Sequence, residues 1–268
     1  MAEKIRVAVA AAAGRMGRAA IRAVAAQPDM MLVAALGRQH GVGQDAGTVA
    51  GVGALGVTIA GTPGTLFDAK PDVLIDFTPG PAAVEHARAA VPAGVHPVIG
   101  GTGMSQADLD ALAALCASKR IGAVVAPNFA LGAVLMMEFS RQAAKYFPHV
   151  EIIELHHDHK RDAPSGTALK TAAAVAAART SVPPLAVKEE QTLQGARGAR
   201  AEGIPIHSVR LPGLVAHQEV IFGGPGQTLT IRHDSVSEES FMLGLLLATR
   251  RVRSLTGLIF GLEKLLES

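Results

Sequence analysis

The amino-acid sequence predicts an α/β protein: a doubly wound parallel sheet joined to a second α+β domain built on an open mixed sheet. Three observations carry that prediction. Short aliphatic runs alternate with helix-length segments several times between Ile5 and Ala126, the pattern of strand and crossover helix in a parallel sheet. The first alternation is bridged by a tight turn of small residues, AAAGRMG, running from Ala11 to Gly17. Past Asn128 the pattern changes to a helix, a strand and a helix, followed by three strand-like runs close together.

Taken in order, Ile5 to Ala10 reads as a buried strand and Arg18 to Ala26 as a helix. The turn between them has the character of a dinucleotide-binding fold of the Rossmann type, where small residues let the backbone approach a pyrophosphate at the helix N-terminus. Ala11, Ala13, Gly14, Arg15 and Met16 are therefore candidate cofactor contacts, with Gly14 and Gly17 the only two glycines of the turn. The second strand, Met31 to Leu36, ends in Gly37 and Arg38. At roughly this distance past the glycines, an acid would bind a ribose 2′-hydroxyl and an arginine would accommodate a 2′-phosphate. The acid is missing and Arg38 is present, which points to NADPH as preferred over NADH.

The stretch from Gly41 to Gly64 lacks helical period and reads as loop with one short strand. Val73 to Phe77, Val95 to Ile99 and Ile121 to Ala126 are further strands, and Pro81 to Val91 is a helix. Ser105 and Asp108 form a capping box opening a helix that runs to Lys119. Leu131 to Tyr146 is an amphipathic helix, and Val150 to Leu155 is a strand. The next helix ends near Thr180, and Ser181 to Gly203 reads as loop, with Pro183, Pro184 and two arginines, Arg197 and Arg200, most simply solvated. Ile206 to Leu211, Val215 to Phe222 and Thr228 to His233 are strands that would pair with Val150 to Leu155. Ser237 to Ser268 returns to helical periodicity around FMLGLLLATRRV.

Composition narrows the function classes. A length of 268 residues with 49% hydrophobic content is ample for one large or two modest domains. A formal net charge of +2, with basic residues scattered, does not argue for a nucleic-acid partner. The N-terminus lacks the layout of a secretory signal and no apolar run approaches membrane-spanning length, so a soluble cytoplasmic protein with no membrane partner is expected. The single cysteine, Cys116, cannot form an intrachain disulfide and reads as a small apolar residue on a helix face.

The stretch that carries chemistry is EIIELHHDHKRDAPSGTA, Glu151 to Ala168. Ser165 sits where an N-cap should, and Gly166, Thr167 and Ala168 follow with backbone N–H groups that no earlier turn can satisfy. Those donors and the positive end of the helix dipole would hold a carboxylate or phosphate. Ahead of them, His156, His157, His159, Lys160 and Arg161 crowd cationic or protonatable groups into one run, offset locally by Asp158 and Asp162. A histidine or lysine there can exchange a proton near neutral pH if its surroundings tune it. Taken singly, each feature has a plainer reading: a surface histidine, or SGTA as nothing more than a helix cap. A metal site is disfavoured because adjacent residues on a strand point to opposite faces, which separates His156 from His157.

The run HHDHKRDAPSGTA closely resembles the signature of the dihydrodipicolinate reductase family, also called 4-hydroxy-tetrahydrodipicolinate reductase, and the rest of the chain is consistent with it. The resemblance implies that His156 and Lys160 are the catalytic proton donors or acceptors. It further implies that His157, Ser165, Gly166 and Thr167 contact the carboxylates of a small dicarboxylate substrate. Gly100, Gly101 and Thr102, with Ala126, Pro127, Asn128 and Phe129, would line the nicotinamide side of a bound NADPH or NADH. It also implies a dinucleotide-binding domain made of residues 1–127 and 236–268, a substrate-binding and oligomerisation domain at 128–235, no metal, and a homotetramer. In three places the chain departs from the family pattern. Alanine stands at position 11 and glycine at position 37, where relatives usually carry glycine and commonly an acid, and no basic residue follows Asp76, Phe77 and Thr78. Two rival readings stay open: a reductase of another small acid on the same nucleotide fold, and a nucleotide-binding regulator without turnover.

Overall fold

The computed structural model of the chain describes residues 3–179, 181 and 190–267. It contains two compact units, one running through Ala130 and resumed from Phe241, the other Leu131–Ser240.

The first unit begins β1 (Ile5–Ala10), α1 (Arg15–Ala25), β2 (Met30–Leu36), α2 (Ala46–Ala50) and β3 (Ile59–Ala60). It continues β4 (Val73–Asp76), α3 (Gly80–Ala90), β5 (His96–Ile99), α4 (Gln106–Lys119) and β6 (Gly122–Val125). The second unit holds α5 (Leu131–Ala143), β7 (His149–His156), α6 (Gly166–Ala178), β8 (Ala199–Ala201), β9 (Ile204–Arg210), β10 (Ala216–Gly224) and β11 (Gln227–Ser235). The tail returns to the first unit as α7 (Met242–Arg251), β12 (Gly257–Phe260) and α8 (Leu262–Glu267).

The first sheet has seven strands in the order β12-β6-β5-β4-β1-β2-β3, all parallel. Strand order reverses between β1 and β4, which makes their C-terminal ends the topological switch point where ligands bind in such sheets. Val7, Val9, Ile75, Val98 and Val124 are fully buried, as strands covered on both faces require. Cys116 lies in this core, and burial pushes its thiol up to about 11, far from a reactive thiolate.

The second sheet is mixed, in the order β11-β10-β7-β9-β8; β7 runs parallel to β9 and antiparallel to β10. Its core is Ile152, Ile206, Val220 and Phe222 from the strands, packed with Met136 of α5 and Ala172 and Val175 of α6. Alternation puts Ile153, Leu155, Glu219 and Ile221 on the opposite face, where they are only half-buried.

Four sequence readings are corrected here. α1 begins at Arg15 and not at Arg18, because Gly17 lies inside it: a Cβ at Gly17 would stand 2.0 Å from the Ala11 carbonyl oxygen, so glycine here serves helix-on-strand packing. The stretch read as loop between Gly41 and Gly64 contains α2, whose N-cap Asp45 accepts from the backbone N–H of Thr48, Leu55 and Val57. Those N–H bonds, Thr48 first, hold the Asp45 carboxyl at about 2. The segment read as loop before Gly203 contains β8, and the tail read as helical contains β12, added to the sheet edge beside β6. Both are too short for a periodic signal and depend on a neighbouring strand. Thr180, Pro183 and Pro184 lie outside the described residues.

Candidate active site

Two sets of site residues stand at strand ends, one in each unit. In the first unit, Ala11 adopts φ +58 immediately after β1, and Gly14 is the N-cap of α1 without any side-chain cap bond. Arg15 and Met16 are the first residues of that helix, so their N–H groups belong to the turn that has no intrahelical acceptor. At the end of β2, Arg38 is exposed, whereas Gly37 is closed in: a Cβ there would meet Ile59 Cγ2 at 2.9 Å and the His40 carbonyl oxygen at 3.1 Å.

Past β4, the Asp76 carboxylate is fully buried and accepts from Thr78 N–H at 2.7 Å and from Thr78 Oγ1 at 2.6 Å, while its other oxygen meets His86 Nδ1 at 2.7 Å. Gly100 and Gly101 follow β5 and pack on that loop. A Cβ on Gly100 would lie 2.3 Å from the Phe77 ring, and one on Gly101 would lie 1.9 Å from the Thr78 carbonyl oxygen. Thr102 O accepts from Gly80 N at 2.9 Å. After β6, Ala126 and Phe129 are buried, Pro127 is exposed, and Asn128 Oδ1 accepts from Ala130 N at 2.8 Å, an Asx turn. The rings of Phe77 and Phe129 meet edge to face at 6.4 Å. Residues 11–16, 38, 100–102 and 126–129 therefore all sit at C-terminal ends of this one sheet, which leaves them able to hold a dinucleotide along that edge.

In the second unit, the site is built from the end of β7 and the start of α6. Glu154 and His156 are two apart on β7 and so share a face. Glu154 is fully buried, yet its carboxylate is well partnered. Arg210 of β9 donates to it through Nη1 at 2.8 Å and Nη2 at 2.7 Å, the Ser165 N–H donates at 3.2 Å, and His156 Nδ1 lies 2.5 Å away. Burial pushes the Glu154 carboxyl up, but Arg210, Ser208 and His156 outweigh it and hold the group below its usual range. For His156 the balance runs the other way: burial lowers it below the usual imidazole value, against the pull of Glu154.

Ser165, 3% exposed, caps α6 by accepting from Ala168 N at 3.1 Å, so the N-terminal turn offers Gly166 and Thr167 outward. Lys160 Nζ donates to both oxygens of Asp162, at 2.8 and 2.9 Å. His157 is half-buried and its Nδ1 is buried without a hydrogen-bond partner. His159 is 87% exposed.

The local sequence accounts for most of this, but not for Glu154 or Arg210. Glu154 stands at an apolar position of the strand alternation, the one signal that marks it; its counterion is 56 residues further on. Arg197 is also corrected: it is not simply solvated, since it donates to Glu151, which His207 Nε2 meets from β9 at 2.8 Å.

A parallel sheet ending in a small-residue turn is the frame of a dinucleotide-binding fold, and the second unit adds a strand–helix junction where a buried acid holds a histidine beside a helix N-terminus. Similar folds at 17% identity include an amine dehydrogenase from Mycobacterium smegmatis, with a TM-score of 0.66 over 95% of this chain and 94% of that one. Two sequence models, described as dihydrodipicolinate reductase N-terminus and C-terminus, match residues 5–129 and 132–266. The chain belongs to the dihydrodipicolinate reductase family. It is 54% identical to the 4-hydroxy-tetrahydrodipicolinate reductase of Moorella thermoacetica over 268 residues, all of both chains. It is 53% identical to the enzyme of that name from Geobacillus kaustophilus, covering 98% of this chain and 99% of that one. A dipicolinate-bound dihydrodipicolinate reductase from Paenisporosarcina sp. TG-14 is 44% identical, with a TM-score of 0.88 over 97% of this chain and 99% of that one.

Proposed function

We propose that this protein reduces 4-hydroxy-tetrahydrodipicolinate to tetrahydrodipicolinate with loss of water, using a reduced nicotinamide, in the route to diaminopimelate and lysine. Full-length identity to relatives of that name carries the reading, and the residues at both strand ends support it. The second domain would serve substrate binding and oligomerisation, in a cytoplasmic homotetramer. Among the described residues no helix is long and apolar enough to cross a membrane.

A bound nicotinamide supplies hydride. The protein's own contribution is to grip a diacid and deliver a proton. The N–H groups of Gly166 and Thr167, with the Ser165 cap and His157, would take the carboxylates, as a helix N-terminus takes an anion. Hydride addition leaves an electron pair that a proton must match, and His156 is the first source, with Lys160 the second. In the Lys160–Asp162 pair the lysine is half-buried, 21% exposed, and Asp162 is 62% exposed; an ion pair open to water on the acid side contributes about 0–1 kcal/mol, so a substrate carboxylate could take the place of Asp162 at little cost. That a relative binds dipicolinate, a planar diacid, fits the same grip.

The residues at the first sheet's edge fit a dinucleotide, and Arg38 with a closed Gly37 favours NADPH. A carboxylate side chain at position 37 would displace Ile59, which is fully buried. The test is a spectrophotometric assay with enzymatically generated substrate and both nicotinamides. Turnover is expected, with His156→Ala and Lys160→Ala each lowering kcat by roughly 10²- to 10⁴-fold. Near-wild-type kcat in both variants, or oxidation of NADPH only with other keto or imino acids, would overturn the assignment.

A further inference from the structure

We infer that Glu154 is a positioning residue, which locks His156 in its Nδ1–H tautomer, presents Nε2 to the substrate, and ties that ring to the N-terminus of α6. This deepens the proposed reduction and rests on that reading for its kinetic arm.

Arg210 can only donate, and it approaches both oxygens of Glu154. Ser165 N–H donates to one of them as well. A carboxyl group receiving three such donors is ionised and has no proton to give. It therefore accepts from His156, and the only proton available for the 2.5 Å contact is the one on Nδ1. A neutral imidazole carries one N–H, so Nε2 is left as the nitrogen that takes up and releases the reacting proton. The same carboxylate fixes Ser165, whose backbone orients the anion-binding turn, and Arg210 also donates to the Asp162 carbonyl at 2.7 Å, bracing the loop that carries Lys160. One buried acid thus sets the relative placement of proton donor, anion donors and loop, an arrangement comparable to the acid that orients the histidine of a hydrolase triad.

The charged groups around His156 fix the direction of its titration. Glu154 from β7 favours the imidazolium; Arg210 from β9 and Lys160 from the following turn oppose it, as does burial. Removing the carboxylate alone leaves only the opposing influences. As proton donor through Nε2, His156 must carry its second proton, so the basic limb of kcat/KM reports it, and that limb must then move to lower pH.

The experiment has two arms. In the unmodified protein, ¹⁵N NMR of the imidazoles, assigned with His156→Asn, reads the tautomer without any substrate; the Nδ1–H form is expected for His156 above its titration, and the Nε2–H form would overturn the proposal. In the kinetic arm, Glu154→Gln is expected to lower kcat at least about tenfold, with KM changing less than about threefold and the His156 limb shifted to lower pH. Glu154→Asp, which keeps the charge, should recover part of kcat and return the limb. A folded Glu154→Gln protein with wild-type kcat and an unmoved limb would overturn the proposal; a purely structural glutamate would lower the yield of folded protein and move neither. Should the unmodified protein fail to reduce the substrate, the functional reading falls, while the tautomer measurement still decides how Glu154 holds the ring.

Discussion

Ala11 is a residue where local chemistry and backbone disagree. Its φ of +58 puts an L-residue with a Cβ in the left-handed region, at a cost of about 1–2 kcal/mol. An alanine there costs little only where φ is negative, and no inspection of AAAGRMG could supply that angle. The turn keeps the strained geometry because its neighbours over-determine it: Ala12 N donates to Leu36 O at 2.8 Å, Gly14 N donates to Ala11 O at 2.9 Å, and Gly17 presses on the same carbonyl. Ala11→Gly is therefore expected to raise stability by about 0.5–1 kcal/mol, since relief of the left-handed penalty exceeds glycine's entropic cost. Thermal denaturation of variant and parent at equal concentration checks this, and an unchanged or lower midpoint would refute it. His156 illustrates the opposite case. Its type and position were legible, yet its tautomer and titration depend on Glu154 and Arg210, which only the folded sheet brings to it.

At the scale of elements, legibility followed the clarity of the apolar run and of its caps. β1, β2, α4 and α6 announce themselves by aliphatic runs or by caps, and the Ser105–Asp108 capping box is present in both directions, with Ser105 Oγ receiving Asp108 N at 3.1 Å. α2, β8 and β12 span five, three and four residues, and unlike the equally short β4, β5 and β6 they stand inside stretches whose wider pattern reads as loop or helix. Such segments carry no period and form only where a neighbour supplies hydrogen bonds, as β6 does for β12 through Val124–Ile259 and Val125–Phe260. The β2 end shows what an element can decide about specificity. Arg38 leaves the sheet exposed beside a glycine crowded by Ile59; in the cofactor reading we propose, a phosphate-bearing ribose would meet that cation and a plain ribose would meet no carboxylate. Arg38→Ala is expected to raise the Kd for NADPH by about 10- to 100-fold, the equivalent of a charge-assisted hydrogen bond of 1.5–3 kcal/mol, and to leave that for NADH nearly unchanged. Fluorescence titration with both cofactors decides it, and equal losses for the two would remove the arginine from the specificity argument.

At the scale of the molecule, the second unit's sheet has, among the described residues, its helices packed on one face. Ile153, Leu155, Val209 and Ile221 stand half-buried on the other, interleaved with Glu219 and His217. A five-stranded sheet with an aliphatic face is ordinarily covered, and a second copy of the chain is the cover we propose in reading the protein as a homotetramer. Analytical ultracentrifugation should give a tetramer, and Ile221→Lys, which places a charge in the middle of that face, should shift it toward smaller species. A stable monomer for the parent chain would remove the proposal.

By itself the sequence determined the α/β alternation, the strands of the second sheet, the turn after the first strand and the HHDHKRDAPSGTA run, because each is a matter of periodicity, capping or contiguous chemistry that short-range forces already impose. Only the tertiary structure decided that Ala11 is left-handed, that Gly37 is walled in by Ile59, that Arg197 is paired, and that Glu154 joins the histidine to the helix. Those facts rest on contacts between residues tens of positions apart, and burial of a charge becomes tolerable only when a partner from a distant strand arrives with matching geometry.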